Sequence, residues 1–464
     1  MKKTLQIVHA FDRSLIIEIP TDDAQTLEVK LNTALSALKN RDSWLKPHER
    51  MKILRHTAQL LASQQDRFAK MIAQEGGKPI TDAAIEVSRA VDGINNAADE
   101  LRHFAGKEIP MGLTPASEHR WAFTIKEPIG VVAAISAFNH PLNLIVHQIA
   151  PAIAVGCPVI IKPAAPTPLS CLEFVKLLRQ AGLEEPWCQT LITDDNNLSE
   201  QLVIDKRISF LSFIGSAKVG WYLRSKLAPG TRCALEHGGA APVIVDRSAH
   251  LSHTIPSLVK GGYYHAGQVC VSVQRIFVHQ EIVSSFMDGF IKQIKKLRVG
   301  DPQLKETDVG PLIHPRETDR VLSWIDEAVK KGAQLFGGGR LSETTLIPAV
   351  LFNPPADTKV SQLEIFGPVT CVYEYENLDH AISIANSLPF AFQASVFSEN
   401  LAPALRAAEG LNASAVLIND HTAFRTDWMP FAGLNQSGYG IGGIPSTMKD
   451  MSQEKMIILN RNSS

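Results

Sequence analysis

Three residues in this chain have side chains that could carry out chemistry together, and each follows an apolar, strand-like run. Cys270 lies in GGYYHAGQVCVSV, Glu236 in LEHGG and Asn139 in AFNHP. A thiol, a carboxylate and a side-chain amide are the parts of a nucleophile, a base and an oxyanion donor. Cys270 follows a Gly-Gln-Val turn and precedes the apolar run Val271 to Val278, which places the thiol between a turn and a strand. Each residue also has a plainer reading. A lone cysteine is usually a small buried residue, an asparagine before Pro141 can form an Asx turn that starts a helix, and a strand-end carboxylate can sit in a salt bridge. All three together, with glycines beside two of them, favour the chemical reading.

The elements that position these residues can be read from periodicity. After a strand-like start, residues up to about 105 repeat apolar positions at helical spacing, with breaks at Gly76, Gly77 and Pro79. These helices are expected to pack on a sheet. Residues 107 to 128 are Pro-rich and then alternate, which predicts a protruding β-hairpin whose open edge needs a partner. From Ile129 apolar runs alternate with helical patterns: IGVVAAIS, PLNLIVHQIAPAIAVG, CPVIIKPA, PLSCLEFVKLLRQAG, ISFLSFIG and SAKVGWYLRSKLA. That alternation predicts a doubly wound, parallel α/β sheet. A second α/β unit begins at APVIVD, and EKMIILN closes the chain as a short strand able to pair with an edge of another subunit.

Composition narrows the function classes. The chain has 464 residues, is 45% hydrophobic and 20% charged, and carries a formal charge of -1. No basic block points to nucleic acid or an acidic membrane. No apolar stretch reaches the ~20 residues of a membrane span. Asp12 and Arg13 interrupt the N-terminal apolar run, which argues against a signal peptide. The six cysteines are dispersed without a CxxC, so neither a disulfide framework nor a metal site is expected, and reduced thiols in the cytoplasm are the default.

The segments AFNHP, KPAAPTPLS, FIGSAKVG, LEHGG, GQVC and EIFGP, in this order, resemble the NAD(P)-dependent aldehyde dehydrogenase superfamily, and the resemblance spans nearly the whole chain. It implies an aldehyde dehydrogenase-like fold: a Rossmann-type cofactor domain over 1–106 and 129–235, a catalytic α/β domain over 236–430, and an oligomerisation element from 107–128 and 431–464. It implies that Cys270 attacks an aldehyde, that Asn139 and the Cys270 backbone N–H hold the oxyanion, and that Glu236 activates the water that hydrolyses the thioester. Lys162, Gly215, Ser216, Glu364, Phe366, Ser136 and Ala165 are the expected cofactor contacts, with NAD or NADP as cofactor. In many NAD-preferring relatives a glutamate stands three residues after the lysine; here that residue is Ala165, which leaves no carboxylate to repel a 2′-phosphate. SGYGIGGIP also lacks the Arg-Glu pair that often follows SGxG in the family.

The helix after Asn139 is expected to line the aldehyde tunnel with Asn143, Leu144 and His147, and Val269 and Val271 flank the thiol. The loop NDHTAFRTDW adds His421, Phe424, Arg425 and Trp428. His147, His421 and Arg425 would suit a hydroxyl, carboxylate or phosphate tail, and hence a short polar or anionic aldehyde of the lactaldehyde, semialdehyde or phosphorylated-triose type. Arg425 has an equally weighted alternative, a surface salt bridge with Asp420 or Asp427. A CoA-acylating relative and a non-catalytic nucleotide-binding scaffold are the competing functions, and Glu236 argues against the first. A homodimer or homotetramer is the expected assembly.

Overall fold

A computed structural model describes residues 3–461 of the chain. Two mostly parallel sheets dominate it. The first has six strands in the order Gly438–Tyr439, Arg232–Glu236, Ile208–Ile214, Val131–Ile135, Val159–Lys162 and Cys188–Thr190, and only Gly438–Tyr439 runs antiparallel to its neighbour. Val131–Ile135 is VVAAI and buried at every position. This is the continuous apolar run that a strand covered on both faces requires. The covering helices include Asn143–Val155, Leu169–Gln180 and Ala217–Arg224, with the N-terminal helices Pro47–Ala62 and Ile80–Glu100 packed outside.

The second sheet has seven strands in the order Gln334–Gly337, Ala349–Phe352, Val369–Tyr375, Arg275–His279, Pro242–Val245, Gln393–Phe397 and Ala415–Ile418. Gln334–Gly337 alone is antiparallel to its neighbour. Among the described residues no helix is long and apolar enough to cross a membrane, and no group of His, Cys, Asp and Glu is placed to hold a metal ion.

Several expectations change in detail. The hairpin over 107 to 128 has a first strand of only two residues, Glu108–Ile109, against the nine of Arg120–Pro128. The last strand, Ser452–Asn460, pairs antiparallel with Arg120–Pro128 of its own chain along its whole length. Alternation in both segments gives complementary strands, and one chain can bring them together. The segment 431–464 also divides. Gly438–Tyr439 joins the first sheet and the helix Ile444–Asp450 packs on Asn143–Val155, which leaves Ser452–Asn460 for the small sheet. The strand after the nucleophile begins at Arg275, so Cys270 lies within the turn and not at its edge. The helix expected from Pro141 begins at Asn143.

Candidate active site

The nucleophile turn is built from left-handed backbone. The helix Leu251–Tyr263 ends, and His265, Ala266 and Gly267 follow with φ of 47, 54 and 71. Two of these carry side chains, and such residues cost about 1–3 kcal/mol each and persist only where their surroundings impose them. Gly267 packs so closely on the Gly367 carbonyl that a methyl group would overlap it. Gln268 locks the turn: its side-chain amide donates to the carbonyls of His265 and Pro311 at 3.3 and 3.2 Å, and its Oε1 accepts from the Ile313 N–H at 3.0 Å. The thiol two residues later is thereby held at the wall of a cavity of about 960 Å³.

Glu236 and Asn139 reach the same cavity from the first sheet. Asn139 follows the strand Val131–Ile135, and its Nδ2 donates to the Gln268 carbonyl at 2.9 Å. An amide NH2 has two hydrogens, so one remains for an oxyanion. Glu236 ends the strand Arg232–Glu236 and sits so near Gly442 that a side chain there would overlap its carboxylate. Burial raises the Glu236 carboxyl above its ordinary value, and the Arg425 charge opposes this. The Cys270 thiol is pushed up to about 12, by burial first and by Glu236 second. Burial thus works against charge at both groups, and near pH 7 the thiol keeps its proton until a base removes it at the moment of attack.

The residues expected to meet a dinucleotide, Ser136, Lys162, Ala165, Gly215, Ser216, Glu364 and Phe366, all line this cavity. The fit is chemical as well as spatial. Ser136 Oγ is buried with no hydrogen-bond partner among the described residues. Lys162 is mostly buried, its pKa is lowered by that burial, and it makes no ion pair among the described residues. The helix Ala217–Arg224 begins at Ser216 without a side-chain cap or an acidic first turn, so its N–H groups are open to a phosphate. Gly215 is clamped by its neighbour strand: its N–H donates to the Glu236 carbonyl at 3.0 Å, and its carbonyl meets His237 Nδ1 at 3.0 Å. Glu364 accepts from the Gly239 N–H at 3.2 Å, and burial raises its carboxyl to about 8.

At the aldehyde end, Asn143, Leu144, Val269, Val271 and Arg425 line the cavity, whereas His147 and His421 do not. His147 is buried behind Arg425 with its Nε2 2.7 Å from Asp427. His421 turns toward its own loop, where its Nδ1 accepts from the Ala423 N–H at 3.1 Å. Phe424 and Trp428 are exposed and also lie outside the lining. Among the described residues Arg425 forms no salt bridge: Asp427 pairs with Arg89 instead. Arg89 lines the cavity together with His140, Tyr264 and the N-terminal residues Leu5 and Gln6, none of which was expected there. A signal for Arg89 does exist in the sequence. Asp82, Glu86 and Arg89 recur at helical spacing on the apolar face of Ile80–Glu100, and charge at core positions asks for buried partners.

Comparison with known proteins agrees with this fold. The aldehyde dehydrogenase family profile matches residues 1–457. A 3-sulfolactaldehyde dehydrogenase of Priestia aryabhattai is 36% identical over 456 residues, covering 98% of this chain and 95% of that protein. Aldehyde dehydrogenase 21 of Physcomitrella patens, solved with the reaction product succinate, superposes with a TM-score of 0.96 at 31% identity and covers 100% of this chain and 96% of its own. A glyceraldehyde-3-phosphate dehydrogenase of Methanocaldococcus jannaschii, solved with NADP, gives 0.93 at 32% identity, covering 99% of both chains. The chain belongs to the aldehyde dehydrogenase family and is an NAD(P)-dependent enzyme of that family.

Proposed function

We propose that this enzyme oxidises a short aldehyde carrying an anionic tail to the corresponding acid. The observation that carries the reading is Arg425. Its guanidinium lines the cavity beside the nucleophile, and among the described residues it has no carboxylate within ion-pairing distance and keeps a buried Nε without a partner. Among the acidic groups of the cavity wall, Glu236, Cys270 and Glu364 are pushed toward their neutral forms by burial. A buried cation without a counter-ion is costly, and a substrate anion removes that cost. The three relatives described above are named for, or were solved with, sulfolactaldehyde, succinate and glyceraldehyde 3-phosphate, all of them anionic.

In this reading Cys270 Sγ attacks the aldehyde carbon as Glu236 takes the thiol proton, directly or through water. The free Asn139 N–H and the Cys270 backbone N–H receive the developing oxyanion. The nicotinamide cofactor, when bound, supplies the hydride acceptor. Once the thiol proton has passed to solvent, Glu236 orients and deprotonates the water whose attack on the thioester carbon breaks the C–S bond and releases Cys270. Lys162, Ser136, Glu364 and the Gly215–Ser216 turn hold the cofactor. Ala165 and the unpaired Lys162 leave room for a 2′-phosphate, so NADP is accepted alongside NAD.

The test is initial-rate reduction of NAD and of NADP with glyceraldehyde 3-phosphate, succinic semialdehyde, lactaldehyde and propanal. Arg425→Gln is expected to lower kcat/KM for the anionic aldehydes relative to propanal by about 10- to 100-fold, the worth of one charge-assisted pair. An unchanged ratio rejects the anionic tail.

A further inference from the structure

We propose that Asp427 and His147 form a positioning relay that fixes Arg425 at the cavity wall without cancelling its charge. The inference rests on the anionic-tail reading above. Asp427 is only 2% exposed, and its carboxylate is the meeting point of four donors. Arg89 donates from Nη2 at 2.8 Å and Nε at 3.2 Å, Asn143 from Nδ2 at 3.1 Å and His147 from Nε2 at 2.7 Å. These donors come from the helices Ile80–Glu100 and Asn143–Val155 and converge on the loop that follows the strand Ala415–Ile418.

Charge accounting shows what this arrangement does. Asp427 and Arg89 form a bidentate pair, so their charges offset each other. An ionised carboxylate only accepts, so His147 must carry its proton on Nε2, and Nδ1 is left as a lone pair. That lone pair faces Arg425 Nη2 at 3.4 Å. Burial first and the Arg425 charge second hold the His147 ring down to about 4, so it is neutral at working pH. The contact therefore orients the guanidinium and adds no negative charge to it. Had Asp427 met Arg425 directly, the ion pair would have used up the cation. The face of the guanidinium lies 3.5 Å from the centre of the Phe431 ring, which packs with Val269 and Val271 beside Cys270. The His147 contact is the one side-chain hydrogen bond Arg425 makes among the described residues. Without it, stacking alone would leave the guanidinium free to turn in its plane.

Neither His147 nor Asp427 reaches the cavity, so both are positioning residues. The experiment measures KM for glyceraldehyde 3-phosphate and for propanal with saturating NADP in the wild type, His147→Leu, His147→Gln and Arg425→Gln. His147→Leu is expected to raise the ratio of the two KM values about tenfold, the size of one lost hydrogen bond. His147→Gln keeps a donor and an acceptor and is expected within about threefold of wild type. Equal changes for both aldehydes would mean lost packing only and would overturn the relay. A ratio raised by Arg425→Gln but not by His147→Leu also overturns the relay, while the anionic-tail reading survives. A ratio unmoved by Arg425→Gln overturns both. Should His147→Leu fail to fold, Asp427→Asn replaces it: a raised ratio supports the relay and an unchanged ratio overturns it.

Discussion

Cys270 poses the central problem at the scale of a residue, because a thiol pushed up to about 12 is a poor nucleophile at neutral pH. Burial is the first cause and Glu236 the second, with Arg425 acting in the opposite direction. A raised thiol pKa means that the proton stays on below that value and leaves only as pH climbs toward it. Alkylation of the free enzyme by iodoacetamide, followed by mass spectrometry at Cys270, is therefore expected to accelerate by about tenfold per pH unit from 7 to 9 with no plateau. A plateau near pH 7 would mean the thiolate exists before substrate arrives and would remove the need for Glu236 in the first step. The meeting of Cys270, Glu236 and Asn139 at one cavity was legible because each follows an apolar, strand-like run. His147 and His421 were not, because an imidazole near a cavity in sequence can face away from it in space. Only the position of Asp427 decides that His147 stands behind Arg425.

Buried carboxylates hold the frame at the scale of elements. Glu75, on the helix Gln65–Gly76, accepts from the N–H groups of Leu169 and Ser170 at 2.7 and 2.9 Å and so caps Leu169–Gln180. Glu86, on Ile80–Glu100, accepts from the N–H groups of Leu142 and Asn143 at 3.0 and 3.1 Å and caps Asn143–Val155. Each helix gains from a distant residue what a local Ser or Asp would usually supply. Glu86 also pairs with Lys78, and both side chains are fully buried. Glu86→Ala should therefore cost about 3–5 kcal/mol in urea unfolding, because it leaves an ammonium unpaired in the interior. Adding Lys78→Met to that variant should recover part of the loss by removing the orphaned charge. No recovery would show that helix capping, and not the ion pair, carries the energy. The sequence showed these helices clearly, since periodicity is local. It did not show the caps, because donor and acceptor lie far apart in the chain and meet only when the layers pack.

At the scale of the whole molecule, the small sheet ends in a long strand with one open edge among the described residues. The strand Ser452–Asn460 pairs with Arg120–Pro128 on one side only, and its other edge meets no strand among the described residues. Met456 and Ile458 are about half exposed on one face of this ribbon, at 52% and 48%, and Trp121 and Leu459 stand opposite each other on the other face at 42% and 46%. A long edge strand flanked by exposed apolar side chains usually continues a sheet or packs on another chain. The occupant we favour is a second copy of this chain, since a symmetric pair of such ribbons is self-complementary. Sedimentation velocity at micromolar concentration should then show a dimer or tetramer. The double substitution Met456→Lys with Ile458→Lys should shift it to monomer by placing like charges across the contact. These residues lie outside the cavity lining, so a monomer that keeps its thermal stability and nucleotide binding would assign the ribbon to assembly alone. A wild type that sediments as a monomer would instead free this surface for a partner of another kind.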